Sequence, residues 1–181
     1  MNILLVSDSH GYDDELKNVL ENIKCDINIH CGDSCFDENS SFLKSFSIIV
    51  DGNHDHGFFP VYDTLQTPLG KILITHGHKF DVYAGYDCLV NYMNKNNINI
   101  CFHGHTHVPH YEIYQNKIFI NPGSIMFNRG ETQCGSFAVI KISNTLHVDF
   151  YDSRTLKKIP QSLIDKDQDI LNEFKRFTHQ K

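Results

Sequence analysis

The runs Asn2-Ile3-Leu4-Leu5-Val6-Ser7-Asp8-Ser9-His10-Gly11 and Ile27-Asn28-Ile29-His30-Cys31-Gly32-Asp33 decide the fold. In each, a short apolar segment ends abruptly in polar residues and glycine, which reads as a buried strand running into a tight loop. Between them, residues 12–23 read as a helix. Leu16, Val19, Leu20 and Ile23 recur at i, i+3, i+4 and i+7, and Asp13, Asp14 and Glu15 suit its N-terminal end. A second helix is expected from about Glu38 to Ser45, then a third strand over Ser47–Val50. Strand–helix–strand–helix–strand is the order of parallel βαβ units.

Outward from that core the pattern changes. Lys71–Thr75 reads as a strand, Ala84–Asn96 as a helix and Ile98–Phe102 as a strand. Strand-rich segments follow at His110–Tyr114, Ile118–Ile120, Ser136–Ile142 and Leu146–Tyr151, with Gln115-Asn116-Lys117 and Ser143-Asn144 as hairpin turns. In the charged tail, Leu163, Ile170, Leu171 and Phe174 keep helical spacing. The expectation is a single layered α/β domain over residues 1–155, with residues 156–181 a helical tail packed on it.

The chain has 181 residues, 16 Lys+Arg against 22 Asp+Glu, and a formal net charge of −6. That balance argues against a broad basic face for nucleic acid or an anionic membrane, but leaves room for a small anionic substrate drawn to a local cation. No apolar run approaches the roughly 18 residues of a membrane span, so a cytoplasmic protein is expected. Cys25, Cys31, Cys88, Cys101 and Cys134 lie in or beside apolar segments and read as reduced, structural residues that behave as small hydrophobes. Cys31 and Cys35 lack the second pair that a zinc ribbon requires. The abnormal count is 12 histidines, largely gathered in short clusters behind apolar runs.

Five such clusters stand out: Asp8-Ser9-His10-Gly11, Gly32-Asp33, Gly52-Asn53-His54-Asp55, Thr75-His76-Gly77-His78 and Gly104-His105-Thr106-His107. Alone, the first reads as a capped strand end and the next two as polar turns, while the two histidine pairs read evenly as structural or metal-binding. Five in succession behind strands converge on one crevice, because parallel strands of an α/β sheet present their carboxyl ends to the same side. Carboxylates, imidazoles and an amide oxygen together suit Mn²⁺, Fe²⁺, Co²⁺, Ni²⁺ or Zn²⁺ better than Ca²⁺. Asp8 and His10, like His105 and His107, are two apart and project to one side of an extended strand end. Two such pairs can serve two neighbouring ions, with a carboxylate as the bridge.

In order and content, these clusters resemble the motifs of calcineurin-like metallophosphoesterases. Small size and Asn121-Pro122-Gly123-Ser124 are similar to the minimal YfcE-type phosphodiesterase branch. The resemblance spans Asn2 to about Tyr151 and implies a four-layer β-sandwich flanked by helices, with two divalent metal ions on one rim. It assigns Asp8, His10, Asp33 and His107 to the first metal and Asp33, Asn53, His76 and His105 to the second, with Asp33 bridging. His54 would contact the phosphate and protonate the leaving oxygen. His78, a loop or outer-shell histidine, and Arg129, a surface arginine, are candidates for substrate contact. One departure stands out. Larger branches carry an acid three residues after the Gly-Asp aspartate to orient the catalytic histidine; here that position is Phe36, with Asp37 next.

The implied reaction is phosphodiester hydrolysis by a hydroxide shared between two metals, Mn²⁺ first, with Ni²⁺, Fe²⁺, Zn²⁺, Co²⁺ or Mg²⁺ as alternatives. The same site could serve a phosphomonoesterase or nucleotide pyrophosphohydrolase. A reading of another class is a noncatalytic protein-interaction scaffold, as in the retromer subunit of this fold, whose metal motifs are degraded. The expected partner is a small phosphoester, with a homo-oligomer possible through the tail's apolar stripe or a hairpin edge.

Overall fold

The computed structural model describes residues 1–178, with Phe174, Phe177 and Thr178 in backbone only. The strands are β1 (Asn2–Val6), β2 (Ile27–His30), β3 (Ile48–Ile49), β4 (Tyr62–Thr67), β5 (Gly70–Thr75), β6 (Ile100–Phe102), β7 (His110–Tyr114), β8 (Lys117–Asn121), β9 (Ser136–Ile142) and β10 (Leu146–Asp152). The α-helices are α1 (Asp13–Asn22), α2 (Asp87–Lys95) and α3 (Gln161–Thr178). One sheet has the order β10-β9-β1-β2-β3 and the other β4-β5-β6-β8-β7. β1, β2 and β3 are mutually parallel, as are β5, β6 and β8.

Side-chain alternation builds the layers. From β1, Ile3 and Leu5 enter the core between the sheets, where they meet Ile29, Ile72, Ile74, Ile100 and Phe102. Leu4 and Val6 point the other way, against Leu16 and Val19 of α1. On the second sheet's outer face, Leu73, Cys101 and Phe119 pack against Leu89, Val90 and Met93 of α2. A strand covered on both faces has no polar side, which is why residues 3–6 are continuously apolar. Helix, sheet, sheet, helix is the expected sandwich.

Three expectations on elements need correction. The helix over Glu38–Ser45 shrinks to one 3-10 turn at Leu43–Ser45. Side chains capture its backbone first: Asp37 accepts from the Asn39 N–H at 2.9 Å and Ser40 from the Phe42 N–H at 3.3 Å, which holds the chain in turns. β4 has no counterpart among the expected strands because it is a largely exposed edge strand, from which Leu65 alone packs against the inter-sheet core. α2 starts at Asp87, not Ala84, and Ile98 belongs to the α2 core instead of a strand, after a left-handed turn at Asn97 (φ 54°).

α3 lies on the domain. Ile164 enters the inter-sheet core and Leu171 is buried. Asp167, fully buried, accepts from the Glu131 N–H at 2.6 Å and from the Thr132 hydroxyl. Lys175 donates to Glu112 at 2.7 Å and sits 4.0 Å above the Tyr86 ring. The tail's stripe is therefore largely spent within this chain; the side chain of Phe174 lies outside the described set.

Candidate metal centre

The loops after β1, β2, β3, β5 and β6 meet at one rim, and their backbone is unusual. Asp8, His10, Asp33, His105 and His107 all have positive φ, between 46° and 72°. Non-glycine residues adopt that region at a cost and persist there only where the surroundings hold them. Two glycines let the loops close up. A Cβ on Gly52 would lie 2.0 Å from Asp33 Oδ1, and one on Gly104 would lie 1.9 Å from Ser7 Oγ and 2.7 Å from Asp8 Oδ2.

Five predicted residues converge tightly. His107 Nε2 is 3.1 Å from Asp8 Oδ1 and 3.2 Å from His10 Nε2. His76 Nε2 is 3.3 Å from Asp33 Oδ2 and 3.8 Å from Asp8 Oδ1. Asp33 Oδ2 is also 3.9 Å from His10 Nε2, so this oxygen reaches a histidine of each expected set. Two metal-sized groups result, Asp8–His10–His107 and Asp8–Asp33–His76, with donor atoms within 4.8 Å of one another. His105 stands beside them. Its ring centroid is 5.0 Å from that of His76, and its N–H donates to Asp8 Oδ2 at 3.1 Å. Asn53 and His54 are exposed on the next loop, which is anchored by the His54 N–H donating to Asp33 Oδ1 at 2.8 Å.

The cluster's polar atoms fit a cation. Asp8 Oδ1 and His76 Nε2 are both buried and have no hydrogen-bond partner. His76 Nδ1 donates to the Cys31 carbonyl at 2.8 Å, which turns Nε2 toward the carboxylates. Two carboxylates facing an imidazole lone pair, with nothing between, repel unless a positive charge intervenes. Burial opposes charge on Asp8, yet His76 and His107 hold its carboxyl far below the usual range. Burial likewise opposes charge on Asp33, and His76 outweighs it. For His76 burial works against the imidazolium, but Asp8 and Asp33 push its pKa up. Burial, then the neighbouring His76, lowers His105 to about 4, so it presents a neutral ring.

The remaining candidates sit around this centre. The His78 ring is 5.5 Å from His76 and 6.2 Å from His105, and its Nδ1 is buried without a partner. Arg129 is exposed, with its N–H on the His107 carbonyl at 2.8 Å. Phe36 packs on Phe42, and Asp37 caps its own turn, so neither orients His54. Among the described residues no carboxylate pairs with the His54 ring, whose near neighbour is His10 at 5.5 Å.

Sequence reasoning missed four supports. Asp55 accepts from Gly52 N–H at 2.8 Å, Cys35 N–H at 2.8 Å and the Ser34 hydroxyl at 3.0 Å, binding two loops together. Cys35 Sγ is 3.7 Å from His10 Nδ1, on the side away from the cluster. The Ser124 hydroxyl donates to the Asp8 carbonyl at 2.8 Å. Tyr83 donates to the His105 carbonyl at 3.0 Å, and nothing local in the sequence marks it.

Comparison with known proteins identifies the family. Residues 1–145 match the calcineurin-like phosphoesterase superfamily domain. The chain is 36% identical over 160 residues to the probable metallophosphoesterase YsnB of Bacillus subtilis, covering 84% of this chain and 91% of that protein. Among solved structures, a conserved protein of Streptococcus pneumoniae described as a predicted phosphoesterase superposes with a TM-score of 0.76 at 30% identity, over 87% of this chain and 96% of the other. Two more distant structures share the fold. Entamoeba histolytica Vps29 complexed with Zn²⁺ has a TM-score of 0.69 at 20% identity, over 88% and 96% of the two chains. An archaeal phosphodiesterase has 0.60 at 19%, over 82% and 98%.

Proposed function

The chain belongs to the calcineurin-like phosphoesterase superfamily, and on that premise we propose that it is a metal-dependent phosphodiesterase acting on small phosphodiesters. The observation that carries the reading is the pair of orphaned buried atoms, Asp8 Oδ1 and His76 Nε2, which face each other at 3.8 Å. The archaeal phosphodiesterase of the same fold supports the diester preference.

Asp8, His10, Asp33 and His107 would hold one divalent ion and Asp33, Asn53, His76 and His105 a second, Mn²⁺ first among the candidates. Such ions, when bound, supply Lewis acidity toward phosphoryl oxygens and a lowered pKa for water. The chain's own residues do the rest. Asp33 shares its Oδ2 between the two sets. The Cys31 carbonyl and Cys35 thiol fix the far nitrogens of His76 and His10, so that each ring turns Nε2 inward. His54, exposed at the rim beside His10, delivers a proton to the leaving oxygen, help typically worth about 10²–10⁴-fold. With no carboxylate behind it among the described residues, its ring relies on substrate to fix its orientation. His78 and Arg129 are the candidates for contact with the substrate's outer atoms. Six free cysteines suit the reducing cytoplasm as its place of action, and no helix among the described residues is long and apolar enough to cross a membrane.

The test is hydrolysis of bis-p-nitrophenyl phosphate and of the mono-ester by chelator-stripped protein, with Mn²⁺, Ni²⁺, Zn²⁺ or Mg²⁺ restored one at a time. The expected result is metal-restored cleavage with the diester preferred. Preference for the mono-ester would move the assignment to a phosphomonoesterase. Metal binding without cleavage of either ester would move it to a scaffold.

A further inference from the structure

Arg129 lies outside the ligand cluster yet is tied to it at both ends. Its N–H donates to the His107 carbonyl at 2.8 Å, and its Nη1 donates to the Tyr83 hydroxyl. That hydroxyl donates to the His105 carbonyl at 3.0 Å, and the Tyr83 ring stands edge-on to the His105 ring with centroids 4.9 Å apart. His105 in turn gives its N–H to Asp8 Oδ2 at 3.1 Å. The guanidinium is thus held by Tyr83, which is itself bonded to the loop of His105 and His107, one layer further out, with Tyr83 and the His105 peptide between it and Asp8.

Three properties of this arginine point to an anion. Its partner is a neutral hydroxyl, and among the described residues no carboxylate lies within 4.0 Å, in a chain of formal charge −6. The guanidinium therefore has no direct carboxylate partner among the described residues. Fixing Nη1 on Tyr83 leaves the rest of the fork free, and a guanidinium with free donors matches phosphate oxygens. The half-buried Tyr83 ring restrains a side chain that would otherwise lose rotamer freedom on binding.

We propose that Arg129, steadied by Tyr83, is a subsite for a second phosphate group, and that the preferred substrates are phosphodiesters carrying a further phosphate beyond the scissile bond. This rests on the hydrolytic reading above. A lone phosphodiester bears one negative charge, which a pair of divalent ions already outweighs. An outlying cation gains little from that charge and discriminates only through an additional one. His54 is carried by the loop after β3, whereas Arg129 is tied to the loop of His105 and His107, so the subsite and the proton donor are held by different loops.

The test uses the full chain loaded with Mn²⁺ and calorimetric titration with thymidine 3′,5′-bisphosphate and thymidine 5′-phosphate. The wild type is expected to favour the bisphosphate by about tenfold, the worth of one charge-assisted hydrogen-bonded pair. In Arg129→Gln, which keeps a donor for Tyr83 but loses the charge, the ratio of the two affinities falls to near one. Tyr83→Phe lowers it partway. A purely structural Arg129 would weaken both ligands equally and leave the ratio unchanged, which would overturn the proposal, as would a wild-type ratio near one. Hydrolysis of bis-p-nitrophenyl phosphate runs in parallel. Turnover with a ratio near one removes the subsite alone, while no turnover with any metal removes the hydrolytic reading and the subsite with it.

Discussion

His76 Nε2 lies 3.3 Å from Asp33 Oδ2 while its Nδ1 is committed to the Cys31 carbonyl at 2.8 Å. The ring is locked with one nitrogen on the backbone and the other among carboxylates, so a proton and a metal ion compete for Nε2. The carboxylates of Asp8 and Asp33 overcome burial and raise the His76 pKa. In metal-free protein a group with raised pKa stabilises fully below its unfolded value, about 6.5, and that contribution is lost as pH rises through the folded value. Metal binding displaces the proton, so affinity grows in the same direction. The increment in Tm on adding Mn²⁺ to stripped protein is therefore expected to be larger at pH 8.5 than at pH 6, and largely lost in His76→Ala. An increment independent of pH would separate His76 from the metal.

Gly104→Ala tests how closely the loops must approach. The added Cβ would lie 1.9 Å from Ser7 Oγ and 2.7 Å from Asp8 Oδ2, so either Asp8 or the His105–His107 loop must move. Overpacking of this kind costs about 1–3 kcal/mol. A misplacement of about 1 Å at a catalytic site costs about 10²-fold in rate. Both are expected together, read as a lower Tm and as a loss of metal-restored diesterase turnover. A variant with unchanged Tm and turnover would show that the loops have slack the packing denies.

These two sites also show which parts were legible in the sequence. The β1 run and the clusters behind it could be read because their signal is local. Ile3 to Val6 is apolar throughout because opposite faces meet the inter-sheet core and α1, and Asp8 with His10 falls on the loop that ends it. β4 carries no such signal, since an exposed edge strand needs no apolar face. The helix over Glu38–Ser45 failed because Asp37 and Ser40 compete for the backbone. Tyr83, Cys35 and Asp55 escaped notice as supports for another reason. Their distant partners, His105, His10 and Ser34 with Cys35, come from other loops, and only the closed fold pairs them.

Asp55 is expected to act as a tie between loops. It accepts three hydrogen bonds from Ser34, Cys35 and Gly52. Truncation to Ala leaves two backbone N–H groups unpaired, each costing about 1–3 kcal/mol where water cannot reach. Asp55→Ala should therefore lose about 2–4 kcal/mol in denaturant unfolding, whereas Asp55→Asn, which keeps one acceptor oxygen, should lose roughly half as much. Equal stability of Asp55→Ala and wild type would refute the tie.

Acid sensitivity follows from three histidines buried beneath the rim. His30, His103 and His110 are fully buried. Gly32 N–H donates to His30 Nδ1 at 3.2 Å, leaving its Nε2 for Ser9 Oγ at 2.9 Å. His110 Nδ1 donates to the Val108 carbonyl at 2.8 Å, and Tyr86 contacts Nε2 of both His110 and His103. Burial lowers His30 to about 4 and His103 to about 3, and takes His110 well below its ordinary value. With folded pKa values below the unfolded one, near 6.5, the unfolded chain binds more protons at every pH beneath that point. Stability therefore falls as pH falls, at about 1.4 kcal/mol per unit for each histidine. Three together remove about 6 kcal/mol by pH 5, which is comparable to the whole stability of an ordinary domain. Asp8 and Asp33, with depressed pKa values, lose their contribution only below about pH 3.8, so the two windows separate. Unfolding is expected to set in near pH 5 with uptake of about three protons or more, measured by calorimetry in buffers of different ionisation enthalpy. Uptake of less than one proton at pH 5.5, with Tm flat from pH 7 to pH 5, would mean that these rings are charged or exposed in the folded protein.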